Sequence, residues 1–301
     1  MKDAKSSAGG LTGLFGKVGS VTSTVGKGIF NVASKVAAVS VAATTAGAAA
    51  VSALTTLAVN SYADYEQLVG GVETLYKDSA AKVQQYAADA YKTSGMTANE
   101  YMTTATSYAA ALVSSLGGDT EQAAELSNMA VSDMADNWNK FGSSADSVQA
   151  AYNGFAKGQF QLLDNLKLGY GGTKEEMERL LDDANKLNAA QGKYTNYSID
   201  SFSDIILAIH DIQTEYDITG TTAKEASTTI SGSLSAAKAA WANLVTGVAD
   251  DNANFGQLIS NFVDSATTAA SNIIPRVEVA LDGAAKLIES LVPPIMAELP
   301  G

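Results

Sequence analysis

The sequence predicts an all-α protein: a series of short amphipathic helices forming a compact or elongated bundle, preceded by a long apolar N-terminal helical segment. Prolines stand only at Pro275, Pro293, Pro294 and Pro300, so nothing before Pro275 carries the residue that most strongly breaks helices. Alanine-rich runs add high helix propensity. Alternating β-branched patterns bounded by turn residues, the mark of strands, are scarce. At 301 residues the chain can bury one or two cores.

The first region, residues 1–35, is a basic arm whose stretch LTGLFGKVGSVTSTVGKGIFNVASK is punctuated by glycine. Each interior glycine weakens a helix by up to ~1 kcal/mol relative to alanine, so an ordering partner is expected. Residues 36–63 carry no charge, and about 20 apolar residues suffice to cross a bilayer. This makes them a candidate membrane segment, marked by Val36, Val41, Val51, Leu54, Leu57 and Val59. Because the run is rich in Ala, Ser and Thr and has only Leu54 and Leu57 as leucines, insertion would be marginal. A buried or partner-packed helix is the preferred expectation, since small residues allow close approach. A cleaved signal peptide is not expected: glycines break the first apolar stretch, and the longest uncharged run begins only at Val36.

Residues 64–250 read as a helical domain with legible helix starts. Tyr62, Tyr65, Leu68, Val69, Val72, Leu75 and Tyr76 recur at three- and four-residue spacing, on one helix face. Thr97 with Glu100 forms a capping box opening a helix through Leu116, which stops at Gly117-Gly118, and Asp119 caps the next. Trp138 and Phe141 close that helix apolarly. Between Phe155 and Lys186 the chain reads as two short helical patterns hinged on Gly169-Tyr170-Gly171-Gly172. Phe160, Leu162, Leu163, Leu166 and Leu168 form the first pattern, Gly169 can close it in the left-handed conformation, and Thr173 with Glu176 opens the second as a capping box.

The stretch QGKYTNYS then reads as a loop pinned by Tyr194 and Tyr197. Ser201 and Asp204 start a helix with the apolar face Phe202, Ile205, Ile206, Ile209 and Ile212. Thr219 to Thr222 is a turn, Thr222 and Glu225 repeat the capping-box spacing, and a helix anchored by Trp241 and Leu244 follows over Ser231 to Ala249. Residues 251–301 read as two further apolar helices from Asn254 to Leu291. Pro275 is tolerated in a first turn, whereas Pro293-Pro294 disfavours continuation.

Composition narrows the chemistry. With no cysteine there is no disulfide, thiolate metal site or thiol nucleophile. The net charge is −13, but through Ala63 five lysines stand against Asp3, giving +4 and leaving −17 for the rest. An acidic body without a basic stripe is not expected to bind nucleic acid sequence-specifically. The basic arm has three open partners: anionic lipid, an acidic surface, or DNA threaded past it. The single histidine, His210, has Asp211 beside it, but adjacent helical positions point apart and no nucleophile motif supports a triad. Glu175, Glu176, Glu178, Asp182 and Asp183 are candidate muramidase carboxylates, yet they sit in the first turns of a charged helix, where a solvated face accounts for them. Gly172-Thr173-Lys174 follows a helical pattern rather than a strand and lacks the phosphate-loop order. No cofactor, metal or catalytic residue is expected.

The string LDNLKLGYGGTK closely resembles a segment of tail tape measure proteins of long-tailed phages and prophages of Gram-positive bacteria. It comprises Leu163, Asp164, Asn165, Leu166, Lys167, Leu168, Gly169, Tyr170, Gly171, Gly172, Thr173 and Lys174, with Glu176 in the charged helix behind it. The strings SSLGGDTEQAAELSNMAVSDMADN, YNGFAKGQF and AIHDIQTEYDITGTTAKEASTTISGS follow the family's order, so the resemblance spans roughly Tyr62 to Pro300. It implies a structural protein that oligomerises with itself in the tail lumen, with tail-tube subunits polymerising around it and length set by its extent. Tail assembly chaperones and distal tail proteins are the other implied partners, the host cytoplasm is the site of assembly, and the host membrane is implied during infection, where family members help DNA across. Against a simple ruler, one continuous helix of 301 residues would span only ~450 Å at ~1.5 Å per residue. The sequence therefore reads as a fragment, a degenerate prophage gene or the globular region of a longer protein. A membrane-active helical protein, an inert remnant and, least favoured, a peptidoglycan hydrolase are the alternatives.

Overall fold

The computed structural model describes residues 47–298, and the side chains chiefly of 53–277 among them. Every regular element in this span is helical: α1 (Gly47–Tyr76), a 3₁₀ turn (Lys77–Ser79), α2 (Ala80–Thr93), α3 (Ala98–Ser115), α4 (Thr120–Phe141), α5 (Ala145–Phe155), a second 3₁₀ turn (Leu163–Leu166), α6 (Lys174–Ala190), α7 (Phe202–Glu215), α8 (Thr221–Thr228), α9 (Ile230–Gly247) and α10 (Phe255–Glu298). Of the two alternatives, the bundle is the compact one. Residues 61–269 form one compact unit, and the described parts of residues 1–60 and 270–301 group separately.

Helix α4 is the axis of the compact unit, packing against α2, α3, α5, α7 and α8. Its residues Asp133, Met134, Ala135, Asp136 and Asn137 are buried in succession, as only a helix surrounded on all sides can be. Around it, the buried tyrosines Tyr76 and Tyr108 keep their hydroxyls paired. Tyr76 donates to the Ala105 carbonyl at 3.0 Å and lies 2.6 Å from the Ser127 hydroxyl, and Tyr108 donates to the Ser127 carbonyl at 3.3 Å. Each ring adds large apolar burial without leaving an orphan hydroxyl.

The expected starts of α3, α4 and α7 are present. Thr97 accepts from the Glu100 amide and Glu100 accepts from the Thr97 amide, completing the capping box. Asp119 accepts from the amides of Glu121 and Gln122, and Ser201 from that of Asp204. The face Phe202, Ile205, Ile206, Ile209 and Ile212 is buried.

At the N-terminus much of the expected apolar segment lies outside the described residues, and at the C-terminus the structure differs from expectation. Val36, Val41 and the start of the uncharged segment lie outside the described residues, and Val51 is described only as helical backbone. From Gly47 the helix runs past Ala63 without a break. Leu54 is half-buried, while Leu57 and Val59 are about half exposed. Among the described residues no helix is long and apolar enough to cross a membrane. In place of two C-terminal helices there is one, Phe255–Glu298. Between the two expected helices, the hydroxyls of Ser265, Thr267 and Thr268 turn back onto carbonyls four residues earlier, so these residues stay in the helix instead of starting a turn. The helix also continues through Pro293-Pro294, whose fixed φ is helical although each ring forfeits an amide donor.

Candidate functional site

The LDNLKLGYGGTK string is not the helix, hinge and helix that its spacing suggests. After α5 the chain makes one 3₁₀ turn over Leu163–Leu166, and Lys167 (φ 54°) ends it in the left-handed conformation. The apolar positions Leu163, Leu166, Leu168 and Tyr170 are buried all the same, because an irregular loop laid on the core turns them inward. Asn137 donates to the Leu166 carbonyl at 2.8 Å, Asn165 to the Ser147 carbonyl at 3.2 Å and Lys167 to the Phe141 carbonyl at 3.1 Å, while Asp164 is exposed.

The glycine turn is clamped. Thr173 accepts from the Glu176 amide at 3.2 Å, but Glu176 does not return the bond: its Oε2 accepts from the Gly171 amide at 2.9 Å. The capping box is therefore half formed, with its acidic arm diverted to an amide two residues earlier. Arg179, absent from the sequence-derived set, donates to both Glu176 oxygens and to the Gly169 carbonyl, and its guanidinium lies 4.3 Å from the centre of the Tyr170 ring. Tyr170 donates to Asp183 at 3.1 Å. Lys174 pairs with Glu178 at 3.6 Å and Lys186 with Asp182 at 2.5 Å. Among the muramidase candidates, Glu176 is held below the usual carboxylate range by Arg179 and the Gly171 amide, and Glu175 by its own backbone amide and the Thr173 hydroxyl. That direction is opposite to what a general acid needs.

A second polar cluster surrounds α4. His210 contacts both oxygens of Asp133 through Nδ1 at 3.0 Å. Burial drives the Asp133 carboxyl up to about 6 even though the His210 hydrogen bond pulls it down, and that same hydrogen bond raises His210 against its own burial. Asp211 serves elsewhere, accepting from Tyr197 at 2.8 Å and Asn188 at 2.6 Å. Tyr197 thus pins the loop after α6, whereas Tyr194 is 96% exposed and pins nothing. Nearby, Gln213 is close enough to moderate the burial that raises Tyr152, yet the geometry falls short of a hydrogen bond.

Asp136, one turn on from Asp133, replaces the capping box expected at Thr222 and Glu225. Gly220 (φ 82°) begins α8 without a side-chain cap of its own, which places Thr222 inside the helix. Asp136 accepts from the Gly220 amide at 2.6 Å and from the Thr222 amide at 2.7 Å. A buried carboxylate at a helix N-terminus is stabilised by the orphan amides and by the helix dipole.

Beside this cap lies a cleft of about 640 Å³, partly open to solvent, built from α1, α3, α5, α8, α9 and the end of α4. Asp64, Glu100, Asp146 and Glu225 line it, with Trp138 on its wall, and no lysine, arginine or histidine does. Sequence spacing could not have found it, because its residues come from six separate stretches of chain. No protein family, curated protein or solved structure matches this chain.

Proposed function

We propose that the chain is a structural tail tape measure protein, and that residues 61–269 are a folded region of it. The observation that supports this is the ordered set of strings around LDNLKLGYGGTK, spread from Tyr62 to Pro300. In this reading the glycine turn is a clamped junction on a helical core, and it carries no chemistry. The partners are further copies of the chain, tail-tube subunits, tail assembly chaperones and distal tail proteins; the locations are the host cytoplasm during assembly and then the tail lumen.

Scale argues about how such a region could act in length determination. A compact unit spanning residues 61–269 has a radius of gyration of roughly 17 Å, whereas the same residues in one straight helix would form a rod roughly 310 Å long. Spanning a tube with this region would mean dismantling the core around α4. Length is therefore set by segments that extend, with the folded region organising one station in assembly. Deleting residues 61–269 from the gene and imaging tails by electron microscopy tests this: tails of normal number and form would refute a role in assembly. No catalytic residue belongs to the reading, so muropeptide release from cell walls should be nil.

The exposure of Leu57 and Val59 on α1 favours one addition, a contact of the uncharged segment with the host membrane during infection. Flotation of the full chain with liposomes, compared with a chain lacking residues 1–63, decides it. Equal flotation would remove the membrane role.

A further inference from the structure

The cleft beside α8 lies along a joint inside the compact unit. Among the described residues, the buried members of the continuous apolar core run from Val72 to Ile218, and none comes from α8, α9 or α10. Helices α9 and α10 make apolar contacts of their own: the Trp241 and Phe262 rings lie 5.3 Å apart, and Leu258 packs so closely over Gly247 that a Cβ there would meet it. The buried apolar side chains of α9 are Ala236, Ala237, Ala239, Ala240, Leu244 and Val245. Most are small, so little apolar area holds α9 to its neighbours.

This layer rests on α2 and α4, and what ties it there is largely polar. Asp136 accepts from the Gly220 and Thr222 amides at the start of α8, Asn243 of α9 accepts from the Ala98 amide at 2.8 Å, and the Ser61 and Thr246 hydroxyls lie 2.5 Å apart. On separation such groups exchange their bonds for bonds to water, whereas an interlocked apolar core has no such exchange. The chain enters the layer through a turn in which Asp217 (φ 52°) and Gly220 (φ 82°) are both left-handed, and a few loop residues of this kind can absorb a hinge rotation. Packing does not close the joint along its whole length: the cleft of about 640 Å³ has α8 and α9 on one side and α1, α3, α4 and α5 on the other.

We propose that residues 220–269 form a hinged layer that swings about the turn at Asp217 to Gly220 and so opens and closes the cleft, with Asp136 and Asn243 as its latches. The proposal does not depend on the tape measure reading, since it rests on the packing alone.

The chain has no cysteine, so an added pair can lock the joint without competing thiols. A Cβ at Gly95, in the turn between α2 and α3, would lie 3.8 Å from the Cβ of Ser235 in α9. That separation suits a disulfide, for which roughly 3.5–4.5 Å is usual. Hydrogen exchange is followed in the full chain and in Gly95→Cys with Ser235→Cys, oxidised and reduced. In the unmodified chain, the amides of Ala240 and Leu244 in α9 should exchange together and about tenfold or more faster than those of Val131 and Met134 in α4. Oxidation of the pair should slow the α9 amides about tenfold relative to the reduced form, and Asn243→Ala should speed them about threefold or more. One common rate for α9 and α4 in the unmodified chain overturns the proposal, since core and layer would then be one rigid body. So does a formed disulfide that leaves α9 exchange unchanged, which would mean that α9 frays without swinging. A second measurement needs no lock: spin labels at Ala150→Cys and Lys238→Cys, both exposed, report the distance across the cleft. Two distances are expected, with the longer one favoured by Asn243→Ala, and a single distance unmoved by that change overturns the hinge.

Discussion

Asp136 caps Gly220 across 84 residues of sequence, its Oδ2 accepting from the Gly220 amide at 2.6 Å while its Oδ1 takes the Thr222 amide at 2.7 Å. The contact joins the central helix to α8. It also fixes the side of the cleft on which Thr222 and Glu225 sit. Asp136→Ala leaves the buried Thr222 amide and the part-buried Gly220 amide without acceptors and should cost about 1–3 kcal/mol in urea unfolding at neutral pH. Asp136→Asn keeps one acceptor oxygen and should lose about half as much. Equal losses for the two variants would show that the carboxylate pair is not what caps α8.

The Asp133 and His210 pair sets a pH dependence of definite sign. The Asp133 carboxyl stands at about 6 in the fold, above its ordinary 3.8, so the native state holds a proton that the unfolded chain has released. Its contribution is fully present below about pH 4 and is lost as pH rises through about 6, up to about 3 kcal/mol. His210 is also raised, from 6.5, so its contribution is lost as pH climbs through its folded value above that. Both therefore make stability fall from mildly acid toward alkaline pH. Urea unfolding between pH 4 and 8 should show a steeper fall in the unmodified chain than in Asp133→Asn, and parallel profiles would refute the assignment.

What was legible in the sequence was what closes within a few residues. The caps at Thr97, Asp119 and Ser201 each involve a side chain and an amide at most three residues apart, a spacing that pattern reading captures. The relationships that build the site run between helices. His210 meets Asp133 over 77 residues and Asp136 meets Gly220 over 84, so neighbouring Asp211 drew attention that belonged to a distant carboxylate. The string SDMADN looks solvent-facing because of its charge, yet it forms the buried centre of α4. Leu163, Leu166 and Leu168 misled in the opposite direction: their spacing is helical, but a loop that buries these three and leaves Leu162 exposed yields the same pattern.

Arg179 should stiffen the glycine turn more than it stabilises the fold. Its side chain is 46% exposed, so solvent screens its ion pair with Glu176 and the pair adds little to global stability. Arg179→Lys removes the fork that reaches Glu176 and the Gly169 carbonyl together. The expected outcome is faster hydrogen exchange at the Gly171 amide, whose acceptor is Glu176, with global stability nearly unchanged. Unchanged exchange would mean the turn is held by the core alone.

The glycines of the turn should differ in cost for separate physical reasons. Gly172 needs close approach: a Cβ there would lie 2.3 Å from the Gln161 carbonyl oxygen and 3.0 Å from its carbon, both backbone atoms that cannot rotate away. Gly169 needs conformation, since its φ of 85° is one that side chains rarely adopt, while the space around it is open. Gly171 needs neither, as its nearest neighbour is the flexible Glu176 side chain at 3.4 Å. Gly172→Ala should therefore cost about 2–3 kcal/mol through overpacking, Gly169→Ala about 1–2 kcal/mol through strain, and Gly171→Ala the least. Urea unfolding of the three variants checks the order. If Gly171→Ala proved the costliest, the turn would not be packed against Gln161 as described.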